Sequence, residues 1–408
     1  MQAELVHQHK SIQPPAGVEV WDVDPYDEAI LMDPVPFFTE LRSKGGFVYI
    51  PRYQILACGR YDQTREVFYD HNRFLSSRGV GMADFKLEEP WRPPSIVLEV
   101  DPPVHTHNRR VILRALSPAV VRKLEQDFAD DAEKLVEDVL AQGEIEAVTA
   151  IAEAFPTRVF PRAVGIKEPD SRKLVDYGAM VFNAVGPDNP LRQRIMAKAP
   201  DIVPWINEQC DRTRLTEDGI GATIYAATDT GEIGEAEAGM LIRSLLSAGV
   251  DTTVSAIGSA LWCLAENPSQ FELLKSDPAK FAVHTFEEAL RFCTPVQAFF
   301  RTAGVDTTVG DVAIEEGSKI LCCLGAANRD PDKFENPDAF DIARDTRGHL
   351  ALGVGVHSCV GQIIARAEGR AILRALAERV SSLEFAGNPV WRPNNSMRAL
   401  DSLPLKLR

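Results

Sequence analysis

Leu352-Gly353-Val354-Gly355-Val356-His357-Ser358-Cys359-Val360-Gly361 is the stretch on which the reading of this 408-residue chain turns. Its glycines permit tight, positive-φ backbone and a close approach to something flat or bulky. Cys359 falls where this loop gives way to a helix predicted from Val360 to about Val380. Unpaired N–H groups and the helix dipole at such a point favour a thiolate over a thiol. Such a sulfur can be a metal ligand or a nucleophile, and a buried core cysteine fits the same residue equally well. The nucleophile reading is the weakest. No G-x-S-x-G elbow or family-specific cysteine signature is present, and His357, two residues away, cannot easily reach back as a base.

The rest of the chain narrows the setting. Lys and Arg number 44 against 59 Asp and Glu, a formal charge of −15 that repels nucleic-acid backbones and anionic lipid. The seven cysteines, an odd number with no CxxC pair, support neither a disulfide framework nor a zinc ribbon. The opening MQAELVHQHKSIQPP has no apolar core, and no window of about 20 residues reads as a membrane span. These features predict a reduced, cytoplasmic protein. No repeat, low-complexity tract or Gly/Ser linker divides the chain, so 1–408 is expected to be a single domain, with a Pro-rich segment over 1–35 running across its surface.

Helical periodicity dominates from Val104 onward. Helices are predicted at 33–42, from Ser117-Pro118 to about 140, and over 147–164, 169–185, 192–226, 268–276 and 280–293. The longest covers 235–266, about 48 Å at 1.5 Å per residue, and is apolar on most faces. Strand signals are short: 47–50 with 54–57, a hairpin within 305–323 turning at Gly310-Asp311, and the C-terminal segment. Residues 73–104 read as a long Pro-rich loop, of a kind that is usually functional. The expected fold class is mainly α with small β-sheets.

Within the longest helix lies Ala248-Gly249-Val250-Asp251-Thr252-Thr253. Gly and paired β-branched threonines are poor choices in mid-helix, so a kink or a ligand groove is expected there. Glu288-Ala289-Leu290-Arg291 places Glu288 and Arg291 on one helical face, where they can pair. Asp101-Pro102-Pro103-Val104-His105-Thr106-His107-Asn108-Arg109 puts His105 and Arg109 four apart at a helix start.

Taken together and in this order, these segments resemble the cytochrome P450 family from about residue 100 to the C-terminus. The loop matches F-G-x-G-x-H-x-C-x-G except at its first position, where Leu352 replaces phenylalanine. The resemblance implies a cytochrome P450 fold with a long helix crossing a haem b, and makes Cys359 the thiolate ligand of its iron. It further implies that His105, Arg109, Arg301 and His357 hold the propionates. Asp251 and Thr252 deliver protons during O2 activation, and Glu288–Arg291 is a structural ion pair.

The expected activity is that of a haem-thiolate monooxygenase. A thiolate ligand pushes electron density to the iron and favours O–O cleavage. On the stripe Ser244, Ala248, Thr252, the hydroxyl of Ser244 stands about 12 Å from Thr252, roughly one aromatic ring and its substituents away. Ser244, with Arg243 beside it and Arg92 and Ser95 in the Pro-rich loop, could anchor a carboxylate. Ala248 leaves room near the iron, and Phe182 and Val185 would form a roof. The chain resembles bacterial members that oxidise para-substituted benzoates such as 4-methoxybenzoate. The expected substrate is therefore a small aromatic carboxylate oxidised at its para group. By the same resemblance, electrons come from a [2Fe-2S] ferredoxin and an NADH-dependent ferredoxin reductase, docking on the monomer near Arg109, Arg110, Arg114 and Arg366. Two rival readings are a peroxygenase of the same fold and a non-enzymatic haem-thiolate sensor.

Overall fold

The computed structural model describes residues 7–408, so the first six residues of the Pro-rich segment lie outside the described residues. That segment is not only a surface run: His7, His9, Ile12 and Tyr26 are buried. His7 Nδ1 lies 2.9 Å from Glu88 Oε1, tying the segment to the 84–88 loop.

Helices carry about half of the chain and far more of it than strands, as expected of a mainly α fold. A large core joins the helices Pro118–Leu140, Ala154–Val164, Asp251–Glu266, Pro278–Cys293 and Gln362–Arg379. Two smaller cores lie on either side of a six-stranded sheet. Its strands run in the order Glu19–Val20, Val48–Ile50, Ile55–Cys58, Lys319–Cys323, Ala298–Ala303, Phe74–Leu75. The predicted pair near residue 50 is antiparallel, with Ile50 opposite Ile55. The hairpin turns at Gly310, whose φ of 56° suits glycine, between Thr307–Val309 and Val312–Ile314. Sequence reading overlooked the strand Ala298–Ala303, which pairs antiparallel with Lys319–Cys323.

Three helical predictions are revised. The 192–226 segment is broken into Pro190–Met196, Ala199–Gln209 and Ile220–Asp229, with Asp211 capping a short turn between the last two. The helix Tyr61–Tyr69 was not foreseen. Its N-cap Arg60 offers no side-chain acceptor, and the Tyr61 N–H instead donates to Asp330 Oδ2 at 2.6 Å, from far along the chain. The 235–266 helix is two helices, Glu235–Ala248 and Asp251–Glu266. Together they form the one described stretch long and apolar enough to cross a membrane, and most of it is buried inside the fold.

Glu288 and Arg291 are both fully buried and paired at 2.7 Å, so this is a core ion pair. Arg291 also donates to the carbonyls of Asn328, Pro337 and Ala339, which satisfies a charge that would be costly to bury alone. Asn328 Oδ1 in turn accepts from the Leu350 N–H at 2.6 Å, fixing the chain as it enters the cysteine loop.

Candidate active site

A cavity of about 370 Å3 lies between the cysteine loop and the broken helix. Gly353 and Gly355 have φ of 67° and 74°, and a Cβ at Gly355 would come within 3.1 Å of the Tyr69 carbonyl, so the loop needs both glycines. The Cys359 N–H donates to the Leu352 carbonyl at 2.7 Å, closing the loop so that Cys359 faces the cavity. The following helix starts at Gln362, three residues beyond the sulfur, not at it. Burial raises the Cys359 thiol, while the Gly361 N–H, Arg109 and Arg366 pull it down. Desolvation is therefore the largest influence on this sulfur, ahead of the expected dipole effect.

Around the loop, two arginines and two imidazoles converge, with the Asp101 carboxylate beside His357. Arg301 is fully buried, donates only to its neighbour's carbonyl at 2.9 Å, and lies 4.0 Å over the Phe68 ring. Burial pulls its pKa down to about 10. Arg109 reaches Ser358 Oγ at 3.2 Å. The His105 and His357 rings stand 4.3 Å apart, and among the described residues neither nitrogen of His105 has a partner. His357 Nε2 is likewise unpartnered, 3.7 Å from Asp101. Burial, then His357 and Arg109, push His105 down to about 4. Arg109, Arg301 and His357 line the cavity; His105 stands behind His357.

On the opposite wall, Gly249 and Val250 interrupt the long helix. The Thr252 hydroxyl donates to the Ala248 carbonyl at 2.6 Å, and the Thr253 hydroxyl to Gly249 at 3.3 Å. The threonines thus supply donors to carbonyls freed by the break. Thr252 and Ala248 line the cavity. Asp251 does not. It is buried against Gly178, with Oδ1 3.4 Å from Arg392 and Oδ2 unpartnered. Burial raises its pKa and Arg392 opposes the rise.

At the Pro-rich loop, Ser95 Oγ and Ser244 Oγ are 3.1 Å apart on the cavity wall. Arg92 also lines it, but is 3.3 Å from Glu99. Arg243 does not line the cavity; it donates to the carbonyls of Pro93 and Pro94 at 2.8 and 3.3 Å and so holds the loop from behind. Phe182 and Val185 are on the wall, as expected. Phe299, 6.4 Å from Phe182, joins them from the strand that sequence reading overlooked, and Val296 from just before that strand.

Residues 280–404 match the family pattern of cytochrome P450. Cytochrome p450 CYP199A2 of Rhodopseudomonas palustris is 46% identical over 393 residues, covering 96% of this chain and 95% of that protein. The chain belongs to the cytochrome P450 family. Beta-dihydromenaquinone-9 omega-hydroxylase of Mycobacterium tuberculosis is 30% identical over 391 residues, 95% of this chain and 78% of the relative. Cytochrome P450 CREJ in complex with (4-ethylphenyl) dihydrogen phosphate shares the fold at a TM-score of 0.83 and 26% identity, covering 94% of this chain and 99% of that one. Cytochrome P450 CYP109Q5 from Chondromyces apiculatus does so at 0.79 and 28%, covering 95% and 98%.

A cytochrome P450 is a haem monooxygenase, and the residues of this one fit the cofactor. A soft sulfur faces the cavity. Beside it stand unpartnered imidazole nitrogens and a buried guanidinium that lack the anions two propionates would bring.

Proposed function

We propose that this P450 inserts one oxygen atom from O2 into a small aromatic carboxylate at its para position, with 4-methoxybenzoate as the type substrate. The observation that carries the substrate class is the hydroxyl pair Ser95–Ser244 beside Arg92 on the cavity wall, two helical turns from Thr252. In this reading Cys359 is the iron's thiolate ligand, and His105, Arg109, Arg301 and His357 hold the propionates. Haem bound through a thiolate supplies the activation of dioxygen and the transfer of an oxygen atom to carbon.

The chain's own residues do the rest. Ser95 and Ser244 hydroxyls donate to the substrate carboxylate, and Arg92 offsets its charge by turning from Glu99. The apolar walls at Phe182, Val185, Val296 and Phe299 hold the ring and exclude water. Ala248 leaves space for the para group. Thr252 holds a hydroxyl at the helix break, and Asp251, buried beside Arg392, carries protons inward. Arg392 is partly exposed, and burial raises the neighbouring Glu153, so a carboxyl–guanidinium path leads from the surface. Hydroxylation at a methoxy carbon collapses to a phenol and formaldehyde.

The solved relative that holds an aryl phosphate supports the substrate class, since its ligand is also a para-substituted arene with an anionic head. We read the chain as one cytoplasmic, monomeric domain supplied with electrons by a [2Fe-2S] ferredoxin and its NADH-dependent reductase.

Two spectra test the proposal. Reduced protein with carbon monoxide should show the thiolate Soret band, and Cys359→Ser should lose it. Adding 4-methoxybenzoate should move the ferric haem from low to high spin, whereas the uncharged 4-methoxybenzamide should do so only at much higher concentration. Equal responses to the two would remove the carboxylate from the reading.

A further inference from the structure

Lys319 opens the strand Lys319–Cys323 and is fully buried. Its Nζ donates to three backbone carbonyls, those of Arg78, Gly79 and Gly81, each at 3.0 Å. Among the described residues no carboxylate is paired with it. Asp84, the acid that acts on it most strongly, is taken by Arg78 and by the Lys86 N–H. Only the ammonium form of lysine has three protons to give. Burial pulls its pKa down to about 7, with Asp84 and Glu99 opposing and Arg78 and Arg301 reinforcing the fall. A buried charge answered by neutral dipoles is an expensive way to fill a strand position, since an apolar side chain of similar volume would cost nothing in desolvation.

What the ammonium holds is a wall of the cavity. Residues 78–85 form neither helix nor strand, so no regular ladder satisfies their carbonyls. Val80, Gly81, Ala83 and Phe85 from this segment line the cavity. The same segment grips the roof: the Met82 N–H donates to the Val185 carbonyl at 2.9 Å, and a Cβ on Gly81 would lie 3.0 Å from that oxygen. On its other edge, the Val80 carbonyl accepts from the Phe300 N–H at 2.8 Å. Wall, roof and strand thus meet at one turn where three carbonyls converge on a single nitrogen; the Arg78 carbonyl also accepts from the Phe85 N–H at 3.2 Å.

We propose that Lys319 is a positioning residue for substrate, an internal donor to three carbonyls that sets the 78–85 wall against Val185 and thereby how closely the cavity wraps its ligand. The geometry carries a corollary. Without the side chain, the convergent carbonyls of Arg78, Gly79 and Gly81 form an oxygen-lined site for a small monovalent cation.

The test uses the haem-loaded enzyme with Lys319→Met, which keeps bulk without donors, and Lys319→Ala, which opens the space. Amide hydrogen exchange, read without substrate, should accelerate in peptides covering 76–87 and 184–187 and stay unchanged in the helical core. In the spin-state titration with 4-methoxybenzoate, Kd should rise about tenfold, the equivalent of losing roughly one charged hydrogen bond. The carbon monoxide spectrum should stay that of a thiolate complex. Lys319→Ala should recover both properties in potassium chloride but not in tetramethylammonium chloride at equal ionic strength, while the unaltered enzyme responds alike to both salts. Should Lys319→Met fail to fold, Lys319→Ala purified in potassium decides alone.

Exchange that is unchanged, or that rises evenly across the molecule, overturns the positioning role. No recovery, or equal recovery in the two salts, overturns the cation site. The proposal rests on the cavity being the substrate site, but not on the benzoate class. The exchange experiment needs no substrate, so a missing 4-methoxybenzoate shift in the unaltered enzyme would count against that class alone.

Discussion

At the scale of single residues, Arg301 shows what burying a cation costs the fold. Its guanidinium is fully buried with one carbonyl and one aromatic face for company. A buried charge without a counter-ion is destabilising by several kcal/mol, and an apolar replacement of similar volume relieves that cost. Arg301→Met is therefore expected to stabilise haem-free protein by about 1–3 kcal/mol in urea unfolding, yet to lose haem faster to apomyoglobin than the unaltered enzyme. Stabilisation in both states, or in neither, would contradict the role given to Arg301. Ser244 offers a milder case. Its hydroxyl donates to the Met240 carbonyl and stands 3.1 Å from Ser95 Oγ, so it must release Met240 to donate to substrate. Ser244→Ala then removes roughly one neutral-donor hydrogen bond to substrate, and Kd for 4-methoxybenzoate should rise about fivefold with little change in stability. Residue types made both predictions possible from the sequence. Position did not: Arg243 and Arg92 read alike as loop-side cations, and only the fold shows that one holds prolyl carbonyls while the other is on the wall beside Glu99.

At the scale of elements, the helix break at 249–250 is set by packing. Gly249 is there because nothing larger fits: a Cβ would lie 2.2 Å from the Phe160 ring. Gly249→Ala must push the Ala154–Val164 helix away or reshape the break, and should cost about 1–3 kcal/mol of stability. The spin-state response to substrate should weaken with it. Asp251→Asn leaves the cavity wall unchanged, because Asp251 does not line it. Substrate affinity should hold, while turnover falls by more than tenfold and loses its dependence on Arg392. A second element junction gives a pH prediction. Glu287 joins three segments through His349 at 3.0 Å and Arg366 at 2.5 Å. Burial alone would raise its carboxyl, but hydrogen bonds from His349 and Arg366 prevail and hold it at about 2, below its ordinary 4.5. A depressed carboxyl stabilises the fold above its unfolded pKa and loses that contribution as pH falls through the folded one. The margin of the unaltered protein over Glu287→Gln, on the order of 2–3 kcal/mol at pH 7, should thus begin to shrink below pH 4.5 and vanish near pH 2 in urea midpoints. Element existence was largely legible in hydrophobic period. The split at 249–250 and the Tyr61–Tyr69 helix were not, because the first is a tertiary fit to Phe160 and the second is capped by Asp330 across the fold.

At the scale of the whole molecule, the charge of −15 sets the problem of how an electron donor finds the cysteine face. A basic patch of four arginines was the expectation, and the structure thins it. Arg114 is paired with Glu232 at 2.5 Å, Arg366 with Glu287, and Arg109 turns toward Ser358. Arg110 is exposed, on a helix that also exposes Val104 and Leu113, and Ile363 is exposed at the start of the helix after the cysteine loop. Such a surface offers one strong point charge among apolar side chains, which suits a transient partner held by short-range contact and oriented by charge. Arg110→Glu should cut ferredoxin-driven turnover about tenfold, whereas Arg114→Ala should cost little because Glu232 already neutralises it. Both variants should keep the carbon monoxide spectrum and the spin-state titration of the unaltered enzyme, which places any loss in electron delivery. Salt separates local from global charge. If Arg110 steers an acidic ferredoxin, turnover at limiting ferredoxin falls as ionic strength rises, and the Arg110→Glu variant instead gains, since only like-charge repulsion is left to screen. A rise with salt in both proteins would mean that the net negative field dominates the encounter and that Arg110 plays no part in it.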